Sequence, residues 1–299
     1  RYIISQRLIN EPKYDIEDKL IHTIRIFLTQ KPDINLSLLS EILSIPSFSD
    51  LESNSDNIDP LKLYNISKNL YIKFGNKLKT NLNIKLKEIE KNIYKKWPKG
   101  KDERKLIEII WKLLLHTNYE NLSISLLNYV DKDNMTLSKS VLNVFSGINS
   151  NKRSIISNKF FNRWNTNTLV LDSWFYFAAS ESSNSTETIE TLFNSKFFDS
   201  KSPNTLRSIL NGFVNNNPYF HNKEGIGYQY IAKKVVEYDK LNPIIISRFI
   251  KVFSRWDKYI EPYKSNMLNA IRYIDSHNLS INSREVINLI LKDEKLKDH

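Results

Sequence analysis

The sequence predicts an all-α chain, a HEAT- or armadillo-like helical solenoid of stacked antiparallel helix pairs, and three observations predict it. Apolar residues recur three or four apart almost from end to end. Strand-like alternation with Asn-Gly or Asp-Gly turns is nearly absent, and six glycines in 299 residues leave room for few hairpins. The helical segments follow one another through short polar connections, as a helical stack requires, although no repeat holds a strict period.

Helical spacing gives segments at 16–30 and 34–45. The next, 60–96, opens on Asp59-Pro60, where a side-chain acceptor followed by proline satisfies free N–H groups and sets the first turn. Its later half carries Leu78, Leu82, Leu86, Ile89 and Ile93 on one face, so the lysines are expected on the solvated opposite face. Segments 102–116, 133–147 and 185–195 follow from the same spacing. Glu187 and Glu190 share an exposed face with Thr and Asn, which suits a solvated or capping role better than acid–base work. Ser202-Pro203 and Asn242-Pro243 repeat the acceptor–proline start for 203–214 and 243–256. Segment 226–239 lies between them, with 259–276 and 282–292 beyond. From 117 to 131 the periodicity weakens, a place for a subdivision, but a continuous stack needs no linker and 1–299 is expected to be one domain.

The formal charge of +11 is uneven: Lys77 to Lys105 holds eleven Lys or Arg against four Asp or Glu. Base stacking would want aromatics and arginines interleaved there, and only Tyr94 and Trp97 are near, so no nucleic-acid partner is expected. The longest apolar run, Trp174 to Ala179, has six residues against the roughly 20 that span a bilayer, so no membrane partner is expected either. Zero cysteines fit a reducing compartment, and the expected location is cytoplasmic. The chain begins at Arg1 rather than Met, with first residues that read as the middle of a helix, and is expected to be a piece of something longer.

Catalytic patterns are missing. None of His22, His116, His221, His277 and His299 is followed by Glu, and no two are four apart, so there is no H-E-x-x-H zinc helix. There is no G-x-S-x-G elbow and no G-x-x-x-x-G-K-[ST] loop, and Gly225-Ile226-Gly227 lacks the third glycine of a dinucleotide fingerprint. No catalytic residue and no metal ligand are expected in this chain.

Segment 243–256 carries one unexplained face. At 100° per residue, Ile246, Phe249, Ile250 and Phe253 cluster as a core stripe. Opposite them fall Ile244, Arg248, Lys251 and Arg255, a basic stripe headed by an exposed isoleucine. It is either a solvated face or a grip for a carboxylate or a partner surface.

Five stretches then carry a resemblance: EILSIPSFSDLESNSDNIDPLKLY at 41–64, RKLIEIIWKLLL at 104–115, MTLSKSVLNVFSGI at 135–148, LVLDSWFYFAAS at 169–180 and SPNTLRSILNGFVNNNPYFHNKEGIGY at 202–228. In this order they resemble the C-terminal helical domain of zinc aminopeptidases of the aminopeptidase N, alanyl aminopeptidase type, in its bacterial and protozoan branch. The resemblance implies a parent enzyme that removes N-terminal residues from peptides with one zinc ion. It implies a partner, the enzyme's own catalytic domain, over which this domain closes to line a substrate chamber. By motif, the residues facing peptide substrates would be Arg207 in TLRSIL and Ile244 and Arg248 in NPIIISRF. The zinc ligands and catalytic groups of the family would lie before Arg1, so the chain alone is expected to be inert. Against this stands a reading from a different class, a free-standing helical-repeat scaffold that holds peptide or protein in its concave groove.

Overall fold

The computed structural model describes residues 7, 9–10, 18–29, 33–95, 98–117, 120–130, 134–148, 150–180 and 185–295. The helical reading of the first residues, positions 16–17, 30, 96 and 133 of the predicted helices, and Trp97 and His299 lie outside the described residues. The described residues are helical with no strand, and their one extended pairing is an isolated bridge between Ile58 and Tyr259. The chain divides into two compact units, Arg1–Asn54 with Lys62–Trp174, and Ser55–Leu61 with Phe175–His299.

The first unit opens with α1 (Asp18–Thr29), which buries Ile21, Ile24 and Leu28 at helical spacing. Asn35 caps α2 (Leu36–Leu43) by accepting from the backbone N–H groups of Ser37 and Leu38 at 2.8 and 3.1 Å. Ser47 and Asp50 form a capping box that starts α3 (Phe48–Ser53), a short helix the sequence reading lacked. The long α4 (Pro60–Glu90) begins where predicted, Asp59 Oδ1 accepting from Leu61 N at 3.1 Å. Leu63, Ile66, Leu70, Phe74, Leu78, Leu82, Leu86 and Ile89 form its buried stripe. Burial of each such side chain is worth about 1.5–3 kcal/mol. The predicted extension to 96 becomes a series of tight turns after Glu90, with Ile93 still buried.

α5 (Lys101–Leu115) buries seven apolar residues because it packs on both α2 and α7 (Met135–Phe145). Residues 120–130, read as a weakening of the pattern, form α6 (Glu120–Val130), which packs on α7 and on α8 (Arg153–Trp164). The boundary between units falls instead inside α9 (Thr168–Ala179), between Trp174 and Phe175.

The second unit contains α10 (Thr186–Phe193), α11 (Pro203–Val214), the single turn α12 (Asn217–Phe220) and α13 (Ile226–Tyr238). Beyond them lie α14 (Pro243–Ile250), two 3-10 turns at Lys251–Phe253 and Trp256–Lys258, α15 (Tyr263–Asp275) and α16 (Ile281–Lys295). Helices two apart in sequence lie side by side, α13 on α15 and α14 on α16, the layering of a helical repeat. Asp239 fixes the start of α16 by accepting from Ser280 N, Ser280 Oγ and Ser283 Oγ.

Candidate substrate-facing surface

The three predicted substrate-facing residues lie on two proline-started helices. Ser202 Oγ accepts from Thr205 N at 3.4 Å and caps α11 as predicted. Asn242 departs from the prediction: it makes no side-chain cap, and its Nδ2 donates to Ser200 O at 2.8 Å instead. That bond ties the start of α14 to the segment that leads into α11. Pro243 alone then sets the first turn of α14, its fixed φ being compatible with a helix.

On α14 the predicted core stripe is buried, with Ile246, Ile250 and Phe253 at 0% exposure and Phe249 at 8%. The opposite face keeps Ile244, 58% exposed, with Arg248 one turn on and Lys251 after it, both exposed. Arg255 does not belong to this stripe. The α-helix ends at Ile250, and the half-buried Arg255 donates from Nη2 to Ser55 O at 2.7 Å. The physical cause is that the backbone passes into 3-10 turns at Lys251–Phe253 and Trp256–Lys258, so the 100° spacing of an α-helix no longer holds at Arg255; beyond them Ile58 N donates to Lys258 O at 2.8 Å and Ile260 N to Ile58 O at 3.0 Å.

Arg207 is exposed on α11, its Nη2 donating to Asn204 Oδ1 at 2.9 Å. Arg207, Arg248 and Lys251 have no ion-pair partner among the described residues, so each carries an uncompensated charge into solvent. The structure joins Ile244 and Arg248 directly on one face, whereas Arg207 sits on the second helix. Chemically, such guanidinium groups suit an external carboxylate, which they hold by charge-assisted hydrogen bonds.

Glu190, expected to be solvated, is structural. It accepts from Lys234 Nζ at 2.8 Å and from Tyr230 Oη at 2.8 Å. Lys234 is buried, also pairs with Glu237 at 2.9 Å, and lies 4.5 Å from the Phe193 ring. Burial, with the neighbouring Glu190 carboxylate adding to it, pushes the Tyr230 phenol well above its ordinary range. The pattern was not visible in sequence because Glu190 and Lys234 are on different helices. Glu187 does match its reading: it is exposed, and a hydrogen bond from Ser185 holds its carboxyl below the usual range.

Among the described residues no group of three His, Cys, Asp or Glu could hold a metal ion. His221 is buried among rings, with Nδ1 2.7 Å from Tyr228 Oη, and His116 Nδ1 lies 2.7 Å from Lys112 O with its ring stacked on Tyr71.

Over 245 residues the chain is 25% identical to the aminopeptidase N of Escherichia coli, an alignment covering 81% of this chain and 28% of that protein. It is 26% identical over 241 residues to the aminopeptidase N of Haemophilus influenzae, covering 80% of this chain and 27% of that one. The chain thus spans between a quarter and a third of the length of these relatives. A crystal structure of Legionella pneumophila aminopeptidase A in complex with aspartic acid shares the fold, with a TM-score of 0.83 at 22% identity. That match covers 98% of this chain and 36% of that one. The resemblance carried by the five sequence stretches, to the C-terminal domain of an aminopeptidase N-type enzyme, is borne out by these relatives. The family model described as "Domain of unknown function (DUF3458_C) ARM repeats" matches residues 2–292, and the chain belongs to that family.

Proposed function

We propose that this chain is a single noncatalytic domain, 1–299, of a cytoplasmic zinc-dependent aminopeptidase that removes N-terminal residues from peptides. In this reading it closes over the enzyme's own catalytic domain and lines the substrate chamber, and the zinc ion is held by the catalytic domain, outside this chain. The observation that carries the reading is similarity to aminopeptidase N along four fifths of the chain.

Arg207, Ile244 and Arg248 are the proposed substrate-facing residues. Two are cations with no carboxylate partner among the described residues, and a peptide brings a carboxylate at its C-terminus. A guanidinium–carboxylate bond would hold that end while the N-terminus is cleaved, with Ile244 giving an apolar surface beside it. No helix among the described residues is long and apolar enough to cross a membrane.

The test is Arg248→Ala in the intact enzyme. The expected result is a rise in KM for peptides of roughly tenfold, the loss of about one charged hydrogen bond, with amino-acid amides unaffected because they lack a carboxylate. Equal effects on both substrate types would remove Arg248 from the substrate site.

A further inference from the structure

The basic stretch from Lys77 to Lys105 has no part in the proposed function, yet the fold builds a cleft from its end. The cleft, of about 750 Å³, is lined by Tyr94 and Lys95, by Lys101, Arg104, Lys105 and Glu108 of α5, and by the start of α7 between Asn134 and Ser140. Lys95 and Lys101 are exposed, and their side-chain ammonium groups have no hydrogen-bond or ion-pair partner among the described residues. Arg104 donates to the carbonyls of Ile93, Lys95 and Lys99 at 3.0, 2.9 and 3.3 Å, which fixes the guanidinium but leaves its charge uncompensated. Lys105 is paired with Glu41 at 2.7 Å. The N-terminus of α7, capped by Asn134, adds its partial positive charge. A concave surface with this balance concentrates anions.

Two features narrow the ligand. Glu108 stands among the cations as a largely buried carboxylate, accepting from Asn143 Nδ2 at 3.3 Å, and would repel a compact polyanion such as a phosphate chain. Tyr94 rests on Tyr129, with ring centroids 6.3 Å apart, and is 44% exposed, leaving an apolar surface beside the charges. A peptide satisfies both, because its carboxylates are spaced apart and its main chain supplies N–H donors between them. The cleft volume falls in the range of roughly 300–1,000 Å³ usual for small-ligand sites.

We propose that this cleft binds a short acidic peptide segment, with carboxylates on Lys95 and Lys101, a main-chain N–H on Glu108 and an apolar side chain over Tyr94. The site is independent of the aminopeptidase reading, since it uses none of the residues assigned there.

The experiment titrates a fluorescein-labelled tetrapeptide of alternating Glu and Leu with the full chain, read by fluorescence anisotropy. Saturable binding is expected, weakened by salt and weakened at least tenfold in the Lys95→Ala/Lys101→Ala double variant. Lys87→Ala/Lys91→Ala, which removes two exposed lysines of the same stretch outside the cleft, is expected to change binding less than twofold. Circular dichroism confirms that both variants are folded. Absence of saturable binding, equal loss in both double variants, or displacement of the label by tripolyphosphate at lower concentration than by unlabelled peptide would each overturn the proposal.

Discussion

His221 is 3% exposed, stacked on Tyr259 and T-shaped against Phe220 and Tyr228. Burial lowers its pKa from 6.5 to about 3, and burial first of all lowers that of His116 to about 4. Because the folded pKa lies below the unfolded one, the unfolded chain binds more protons between these values. Stability is therefore full above pH 6.5 and falls as the pH drops toward 4 and 3. At pH 5 the cost is about 2 kcal/mol for each histidine. Urea unfolding at pH 7 and pH 5 measures this, and His221→Asn is expected to shrink the difference while lowering stability at pH 7; an unchanged difference would place the titration elsewhere. The same scale shows what sequence reveals about single residues. The core stripe of Ile246, Phe249, Ile250 and Phe253 was legible because helical spacing is a local property. Arg255 and Glu190 were not, because their partners Ser55 and Lys234 are 200 and 44 positions away.

Among elements, α9 is, with α3, α6 and α8, one of the helices that the spacing did not show. Its residues are apolar almost all round, so period 3.6 leaves no contrast to detect, and Leu169 is 74% exposed beside the buried Val170 and Leu171. Its C-terminal half meets α11 at Gly212, where a Cβ would stand 2.4 Å from Tyr176 O and 2.8 Å from Ala179 Cβ. In an open helix, Gly→Ala stabilises by about 1 kcal/mol through propensity. Here the clash reverses the sign, and Gly212→Ala is expected to destabilise by about 1–3 kcal/mol. A higher urea midpoint in this variant would show that the two helices do not approach so closely. The acceptor–proline starts were legible for α4 and α11, where Asp59 and Ser202 bond to N–H groups of their own helix. The start of α14 was legible only in place, since its Asn242 amide reaches to Ser200 O.

At the scale of the whole molecule, family membership over residues 2–292 and the helical layering in each unit agree with the all-α repeat architecture read from spacing and glycine scarcity. The division into two units was not legible, because the boundary runs through a helix rather than a polar linker. The candidate site was legible in part: Ile244 and Arg248 share an exposed face, and the two helix starts are tied together through Asn242, but Arg255 leaves the stripe. The central claim, a helical domain that does no chemistry itself and serves an aminopeptidase, is tested most directly by two assays. Zinc content and hydrolysis of an alanyl or leucyl fluorogenic amide are measured for the chain alone, then for the chain mixed with the separately produced catalytic portion. The account predicts no bound zinc and no turnover by the chain alone, with activity or peptide selectivity changed on mixing. Stoichiometric zinc with turnover by the chain alone would contradict it.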